Sequence, residues 1–102
     1  MDDEKIRALI DVDRIVHEPA RLMILAVLSA AREADFLYLL NATALTKGNL
    51  SSHLSRLEEA GYVEIEKSFV GKQPRTVARL TGSGREALAS YRNQMQAVLK
   101  AR

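Results

Sequence analysis

Small and polar residues line one side of a predicted helix and have the chemistry to bind another molecule. In residues 46–61, TKGNLSSHLSRLEEAG, the spacing of Leu50, Leu54 and Leu57 predicts an apolar stripe along a helix. The other side of this helix carries Gly48, Asn49, Ser51, Ser52, Ser55 and Arg56. A helix face that meets only water usually carries Glu and Lys, because Gly and Ser lower helix propensity. We therefore expect this polar face to approach another surface closely.

Double-stranded DNA is a surface that suits these side chains. In a major groove Asn pairs with adenine and Arg with guanine, while short hydroxyls bond bases or phosphates. We expect Asn49 and Ser52 to read bases, Arg56 to read a base or reach a phosphate, and Lys47 and Ser51 to contact phosphate. The DNA-binding residues predicted here are Thr46, Lys47, Gly48, Asn49, Ser51, Ser52, His53, Ser55 and Arg56. Alternatively, serine is simply tolerated on a solvated face.

Catalysis and metal binding find little support among the remaining residues. His17 and His53 are far apart in a chain without cysteine, and they lack the spacing of metal ligands, so we expect no metal and no cofactor. Adjacent Ser52 and His53 diverge by about 100° on a helix and cannot form a catalytic pair. We expect His53 to pack or to bond a phosphate, and His17 to help Glu18 cap the next helix. The sequence predicts no enzyme.

Length and composition fit one compact domain. The chain has 102 residues, of which 47% are apolar, so we predict a single domain over residues 1–102. No signal peptide is visible, and the longest apolar run, LMILAVLSAA, is too short for a membrane span. Together with the absence of cysteine, this predicts a cytoplasmic protein without a membrane partner.

Charge is distributed unevenly along the chain. Residues 1–35 contain five Lys/Arg and eight Asp/Glu, and residues 36–66 contain two Lys/Arg and four Asp/Glu. Residues 67–102 contain eight Lys/Arg and only one Asp/Glu. A basic last third indicates a polyanionic partner. A solvated basic tail is the alternative.

Four helices are predicted in the first 61 residues, and the polar-faced helix is the last of them. Ile6, Leu9 and Ile10 indicate a short first helix. Pro19 favours the start of a second helix, whose apolar residues on nearly every side predict deep burial. Asp35 can cap a short helix that leads, through a turn at residues 41–45, to Thr46 as the next N-cap. Two helices joined by a turn predict a helix-turn-helix over about residues 35–61, which Gly61 ends.

A basic hairpin is predicted after the helix-turn-helix. Tyr62, Val63 and Ile65 alternate with glutamates as in a half-buried strand, and residues 76–80 form the returning strand. This hairpin, over about residues 62–80, places cations at or near its tip as a wing does, and we add Lys67, Lys72, Gln73 and Arg75 to the predicted DNA-binding residues. An ordinary hairpin with a solvated tip is the alternative.

A final helix over about residues 82–101 carries an apolar seam. Its cap is Ser83, paired with Glu86, or else Thr81. Leu88, Tyr91, Met95 and Val98 follow one another at spacings of three, four and three, which is typical of a helix pair. We predict that these four residues form the dimer interface together with Ile6 and Leu9 of the first helix. The alternative is that this helix packs back on its own domain.

The sequence resembles small single-domain winged helix-turn-helix regulators of the multiple-antibiotic-resistance (MarR) type. HEPARLMILAVL looks like the second helix that these share with arsenic-repressor (ArsR) type regulators, and KGNLSSHLSRLEEAGYV with PRTVARLT looks like the recognition helix and wing. The resemblance implies an α+β winged helix with a three-helix core, a hairpin wing and a terminal dimerisation helix. It implies a homodimer whose recognition helices enter successive major grooves. The cysteine pairs of metal-sensing members are absent and the N-terminal helices are short, so any small-molecule effector is unknown.

Two other functions remain open beside sequence-specific regulation. Winged helices also serve as protein-interaction modules, which should show apolar residues on the outer helix face or acid in the wing. A second alternative is an architectural protein that binds DNA without sequence preference.

Overall fold

The computed structural model describes residues 3–101 and shows an α+β winged helix-turn-helix, as predicted. Its elements are helix α1 (Asp3–Arg7), a 3-10 turn (Ala8–Asp11), α2 (Pro19–Ala31), strand β1 (Glu33–Asp35), α3 (Phe36–Thr43), α4 (Lys47–Glu59), β2 (Val63–Val70), β3 (Gln73–Leu80) and α5 (Gly82–Lys100). Helices α2, α3 and α4 pack against one another, and α5 packs on α1 and α2. Within this part of the chain no helix is both long and apolar enough to cross a membrane.

Side-chain caps fix where the helices begin. Glu18, Asp35, Thr46 and Thr81 each accept a hydrogen bond from the backbone N–H three residues further on, at 2.8–3.1 Å. These caps satisfy N–H groups that have no partner within the helix. Of the two predicted candidates for α5, Thr81 is therefore the cap. Helix α4 ends as predicted, because Gly61 adopts a positive φ of 80° and the Gly61 and Tyr62 N–H groups bond back to carbonyls of the last turn.

The core lies where α2 meets α4 and the sheet. Ile24, Leu25 and Leu28 of α2 have no exposed surface, as the apolar sequence of that helix predicts. The predicted stripe of α4 is buried beside them, with Leu50 and Leu57 at 0% and Leu54 at 3% exposure. This packing fixes the rotation of α4 about its axis and directs its polar side outward.

The sheet contains one strand more than the hairpin. Its order is β1-β3-β2, all antiparallel, and β1 pairs Ala34 with Ala78. The sequence analysis predicted no strand at residues 33–35 and assigned Asp35 only as a helix cap. The hairpin spans the predicted residues, but its strands extend further toward the turn than predicted, because they stay paired from Val63 with Leu80 to Val70 with Gln73. Its turn consists of Gly71 and Lys72, so Lys67 lies within β2 rather than at the tip.

The first half of the predicted α5 seam faces the protomer's own core. Leu88 is 6% and Tyr91 8% exposed, and both belong to the main apolar cluster. These two residues pack mainly within their own chain, as the alternative of a helix that packs back on its own domain predicts, and their part in a dimer stays a prediction. Met95 and Val98 are half-buried, whereas Leu99, which the sequence interpretation missed, is 78% exposed. The predicted residues Ile6 and Leu9 are half-buried in a segment that packs against α5.

Candidate nucleic-acid interface

The outer face of α4 is exposed along its length. The exposed residues are Lys47, Gly48, Asn49, Ser51, Ser52, Ser55 and Arg56. None of them carries a carboxylate, and the acids of α4 are confined to its last turn at Glu58 and Glu59. Thr46 is also exposed, but its hydroxyl accepts the Asn49 N–H at 3.1 Å and so caps the helix. Short donors and acceptors therefore cover the first three turns of α4.

Gly48 has no role in packing that would explain its small size. A Cβ atom built at this position would meet nothing within 4 Å, and the backbone φ lies in the ordinary negative range. Any residue fits here as far as the protein itself is concerned. Because glycine lowers helix stability, its presence favours a requirement from outside, namely close approach of a ligand to the backbone.

His53 is bound to the scaffold rather than free on the outer face. Its ring is half-buried, with Nδ1 3.2 Å from Nη1 of Arg21 and 3.7 Å from Oε2 of Glu18. A guanidinium can only donate, so in a neutral ring Nδ1 accepts from Arg21. This contact ties α4 to α2, as the packing alternative for His53 predicts, while phosphate binding by His53 stays a prediction.

Arg21 is the centre of this connection. It is only 8% exposed, and its Nε and Nη2 donate to the carbonyl groups of Ile15 at 2.6 Å and Arg14 at 3.3 Å. The neighbouring Glu18 carboxyl has a lowered pKa. Burial alone would raise this pKa, but hydrogen bonds from the Arg21 and Ala20 N–H groups and the charges of His53 and Arg21 lower it by more. The carboxylate thus stays charged beside the arginine.

His17 does not help to cap α2 as predicted. Its Nδ1 lies 2.8 Å from the Tyr91 hydroxyl on α5, and the two rings are 5.6 Å apart. Glu18 caps α2 without it. Both histidines therefore join helices, and among the described residues no group of three or more His, Cys, Asp or Glu could hold a metal ion.

The wing and α4 form two grooves that contain six of the thirteen predicted DNA-binding residues. Lys67 shares a groove of about 500 Å³ with Ser51 and Ser55 of α4. Toward the α4 N-terminus on the same flank, Lys47 shares a groove of about 440 Å³ with Gln73 and Arg75, and both grooves include Phe36 and Thr76. Lys72 is exposed at the turn. The fold thus brings cations of the hairpin beside one flank of α4.

The cations of the hairpin divide into two classes. Arg79 pairs with Glu33 and Glu66 at 2.7 Å, and its pKa is raised chiefly by the hydrogen bond to Glu66. It joins the three strands and is not available to a ligand. Arg75 lies 3.9 Å from Asp35, whereas no carboxylate lies within ion-pair distance of Lys67 or Lys72 among residues 3–101. The free positive charge is therefore concentrated toward the tip.

The sequence interpretation missed apolar residues near these grooves. Phe69 and Val70 of β2 are 72% and 63% exposed, and Leu37 and Tyr38 of α3 are 66% and 56% exposed. The sequence places Phe69 and Val70 at the end of a strand and Leu37 and Tyr38 on a short helix. However, alternation and helical spacing do not show whether another part of the chain covers these side chains.

Comparison with known proteins agrees with this geometry. A family model described as a winged helix DNA-binding domain matches residues 20–99. An uncharacterised protein of Methanocaldococcus jannaschii is 38% identical over 78 residues, which is 76% of this chain and 85% of that protein. The structure of a transcriptional regulator homologue from Pyrococcus horikoshii matches with a TM-score of 0.84 and 32% identity over 94% of each chain.

The same fold occurs in a protein solved with DNA. A mutant MarR from E. coli, complexed with operator DNA, matches with a TM-score of 0.67 and 20% identity, over 97% of this chain and 74% of that one. The predicted resemblance to winged-helix regulators is thus confirmed by the family model and the Pyrococcus structure. The chain belongs to the winged helix DNA-binding family and is a DNA-binding transcriptional regulator, not an enzyme.

Proposed function

We propose that the chain is a sequence-specific regulator that binds double-stranded DNA as a homodimer. In this proposal α4 enters the major groove, and the wing contacts flanking backbone or the minor groove. The observation that carries it is the exposed, carboxylate-free face of α4 from Lys47 to Arg56, with cations of the wing beside one flank of it. Base-specific contacts need short polar groups at the groove floor, and phosphate contacts need cations at its rim.

Different residues carry affinity and sequence choice in this arrangement. Asn49 and Ser52 lie in the first two turns of α4, the part of a recognition helix that enters a groove most deeply, and they read bases. Lys47 and Ser51 flank them and contact phosphate. Arg56, a turn further on, contacts phosphate or a guanine. The wing residues Lys67, Lys72, Gln73 and Arg75 supply affinity that depends on salt.

Support for a dimer comes from apolar surface on α5. A groove of about 430 Å³ between α2 and α5 is lined by Leu22, Leu88, Tyr91, Met95 and Leu99, among others. Leu99 lies one turn beyond Met95 on the same side of the helix and is largely exposed. A second copy packed on this side would cover both residues. Two-fold symmetry then presents two copies of α4 to half-sites about one helical turn apart.

Selection of bound sequences from random DNA by the purified protein tests the proposal. We expect an inverted repeat with half-sites centred about 10–10.5 base pairs apart, or a multiple of that spacing. Binding without enrichment of any sequence would instead indicate an architectural protein. Failure to bind DNA at all would favour the protein-interaction alternative.

A further inference from the structure

The tip of the wing is apolar as well as basic. Val63 is the buried residue of β2, and from Lys67 to Val70 every residue of that strand is exposed. Phe69 is paired with Pro74 across the hairpin. Among the described residues no core lies under this pair, because the buried residues of β3 are Val77 and Ala78, nearer to the domain. An aromatic ring and a proline therefore project together beyond the domain.

These apolar residues face the side of the wing that α4 occupies. Side chains two residues apart in a strand share a face, so Ile65, Lys67 and Phe69 point in one direction. Ile65 and Lys67 line the groove shared with Ser51 and Ser55 of α4. Phe69 continues this row outward. A duplex that occupies the outer face of α4 would reach Phe69 next.

The charges around Phe69 indicate which molecule covers it. Lys72 lies at the turn, Lys67 is two residues from Phe69 on the same strand, and Arg75 follows Pro74. Every charged residue in positions 67–79 is positive. An apolar protein surface would gain nothing from these cations. The minor groove of DNA matches both features, because sugars and base edges line it and phosphates border it.

Dimensions limit what can enter the minor groove. Paired strands lie about 4.8 Å apart before side chains are counted, and the minor groove is about 6 Å wide. Gly71, with a φ of 65°, allows the turn to have only two residues and keeps the tip narrow. Even so, the whole hairpin does not fit a standard groove. A single ring at the tip fits, and deeper entry requires the groove to open.

We propose that Phe69, supported by its cross-strand partner Pro74, inserts into the minor groove as an apolar wedge beside the site that α4 reads. The wedge partly unstacks a base step and bends the DNA toward the major groove. Flexible pyrimidine–purine steps are the least costly to open, so the flanks of the site gain a TA or CA/TG preference without base hydrogen bonds. This proposal rests on the DNA binding proposed above.

Bending of a selected site tests the wedge. The measurements are energy transfer between the ends of a labelled duplex and fluorescence of 2-aminopurine placed at the flanking step. We expect the unmodified protein to bend the duplex and raise the 2-aminopurine signal. Phe69→Ala should abolish both changes, weaken binding roughly tenfold and leave the salt dependence unchanged. Phe69→Leu should retain part of the bend, because leucine also acts as a wedge.

Lys72→Ala is the matched control at the same tip. It should weaken binding to specific and random DNA alike and flatten the slope of log K against log salt by roughly one unit per lost phosphate contact. The bend should remain. Both side chains are exposed, so thermal melting should not change for either variant.

Four results would overturn the wedge. One is a Phe69→Ala protein that binds and bends the duplex as the unmodified protein does. Another is a Phe69→Ala protein whose mass without DNA falls by half in light scattering, which would make the tip a contact between protein copies. A protein that binds no DNA would overturn the proposed function together with the wedge, whereas DNA binding without bending would overturn the wedge alone.

Discussion

Gly84 in the first turn of α5 is the glycine at which an added methyl group has the clearest steric cost. A Cβ there would lie 2.1 Å from the Tyr62 carbonyl oxygen and 2.9 Å from Cδ1 of Leu80. We predict that Gly84→Ala lowers the free energy of unfolding by about 1–3 kcal/mol through overpacking. Gly82→Ala is the control, because a Cβ there meets no atom within 4 Å. Equal urea midpoints for the two variants would contradict this account.

Tyr62 has a strongly raised pKa, chiefly because of its hydrogen bond to Asp13. Its hydroxyl donates to the Asp13 carboxylate, and this bond, burial and the Asp13 charge raise the pKa of Tyr62 to about 12. The folded protein therefore keeps this proton between about pH 10 and pH 12, where the unfolded chain loses it. Stability from this bond is complete below pH 10 and is lost as the pH rises through 12.

A spectrophotometric titration of phenolate absorbance measures this pKa. The difference between the unmodified protein and Tyr62→Phe isolates Tyr62 from the other tyrosines. We expect a midpoint near 12 for Tyr62, and a lower midpoint, closer to 10, in the Asp13→Asn variant. A midpoint near 10 in the unmodified protein would show that the bond to Asp13 does not persist in solution.

At the scale of elements, the two faces of α4 have different functions. Leu54 belongs to the buried stripe, and Ser55 is the next residue along but lies on the outer face. We predict that Leu54→Ala lowers the free energy of unfolding by about 2–5 kcal/mol, because it leaves a cavity in the core. Ser55→Ala should change it by about 0.5 kcal/mol or less. Urea unfolding of both variants measures the difference, and similar losses would mean that the helix is rotated from its position here.

The helices of this fold could be predicted because their signals are local. Apolar spacing, together with the caps Asp35 and Thr46, predicted α3 and α4, and the stripe on α4 predicted its polar face. Strand β1 could not be predicted in this way. It has three residues and a single buried side chain, Ala34, and it depends on pairing with β3 and on the ion pair of Glu33 with Arg79.

The same limit explains which contacts could not be predicted from the sequence. The spacing of Leu88 and Tyr91 indicated an apolar face, but whether the same chain or a partner covers that face depends on tertiary packing. Likewise, His53 meets Arg21, which is 32 residues away in the sequence, so no local pattern shows that contact. The exposure of Phe69 follows from the length of the hairpin, which extends beyond the core.

At the scale of the whole molecule, dimerisation should depend on the end of α5. Leu88 is a core residue, so its replacement would test folding rather than association. Leu99 is exposed and offers the cleaner variant. We predict a dimer mass by light scattering at micromolar concentration, and a monomer mass for Leu99→Asp with its helical circular dichroism retained. A monomer mass for the unmodified protein would contradict the proposed dimer.

We propose that the outer face of α4 determines which DNA sequence the protein binds. Competition between a selected site and random DNA measures this specificity. Asn49→Ala and Ser52→Ala remove exposed side chains, so thermal melting should stay unchanged. Each lost base contact is worth about 1–3 kcal/mol against the wrong base. We predict that both variants lower the ratio of specific to random binding accordingly. If both bind the selected site with the affinity and ratio of the unmodified protein, this face does not read DNA.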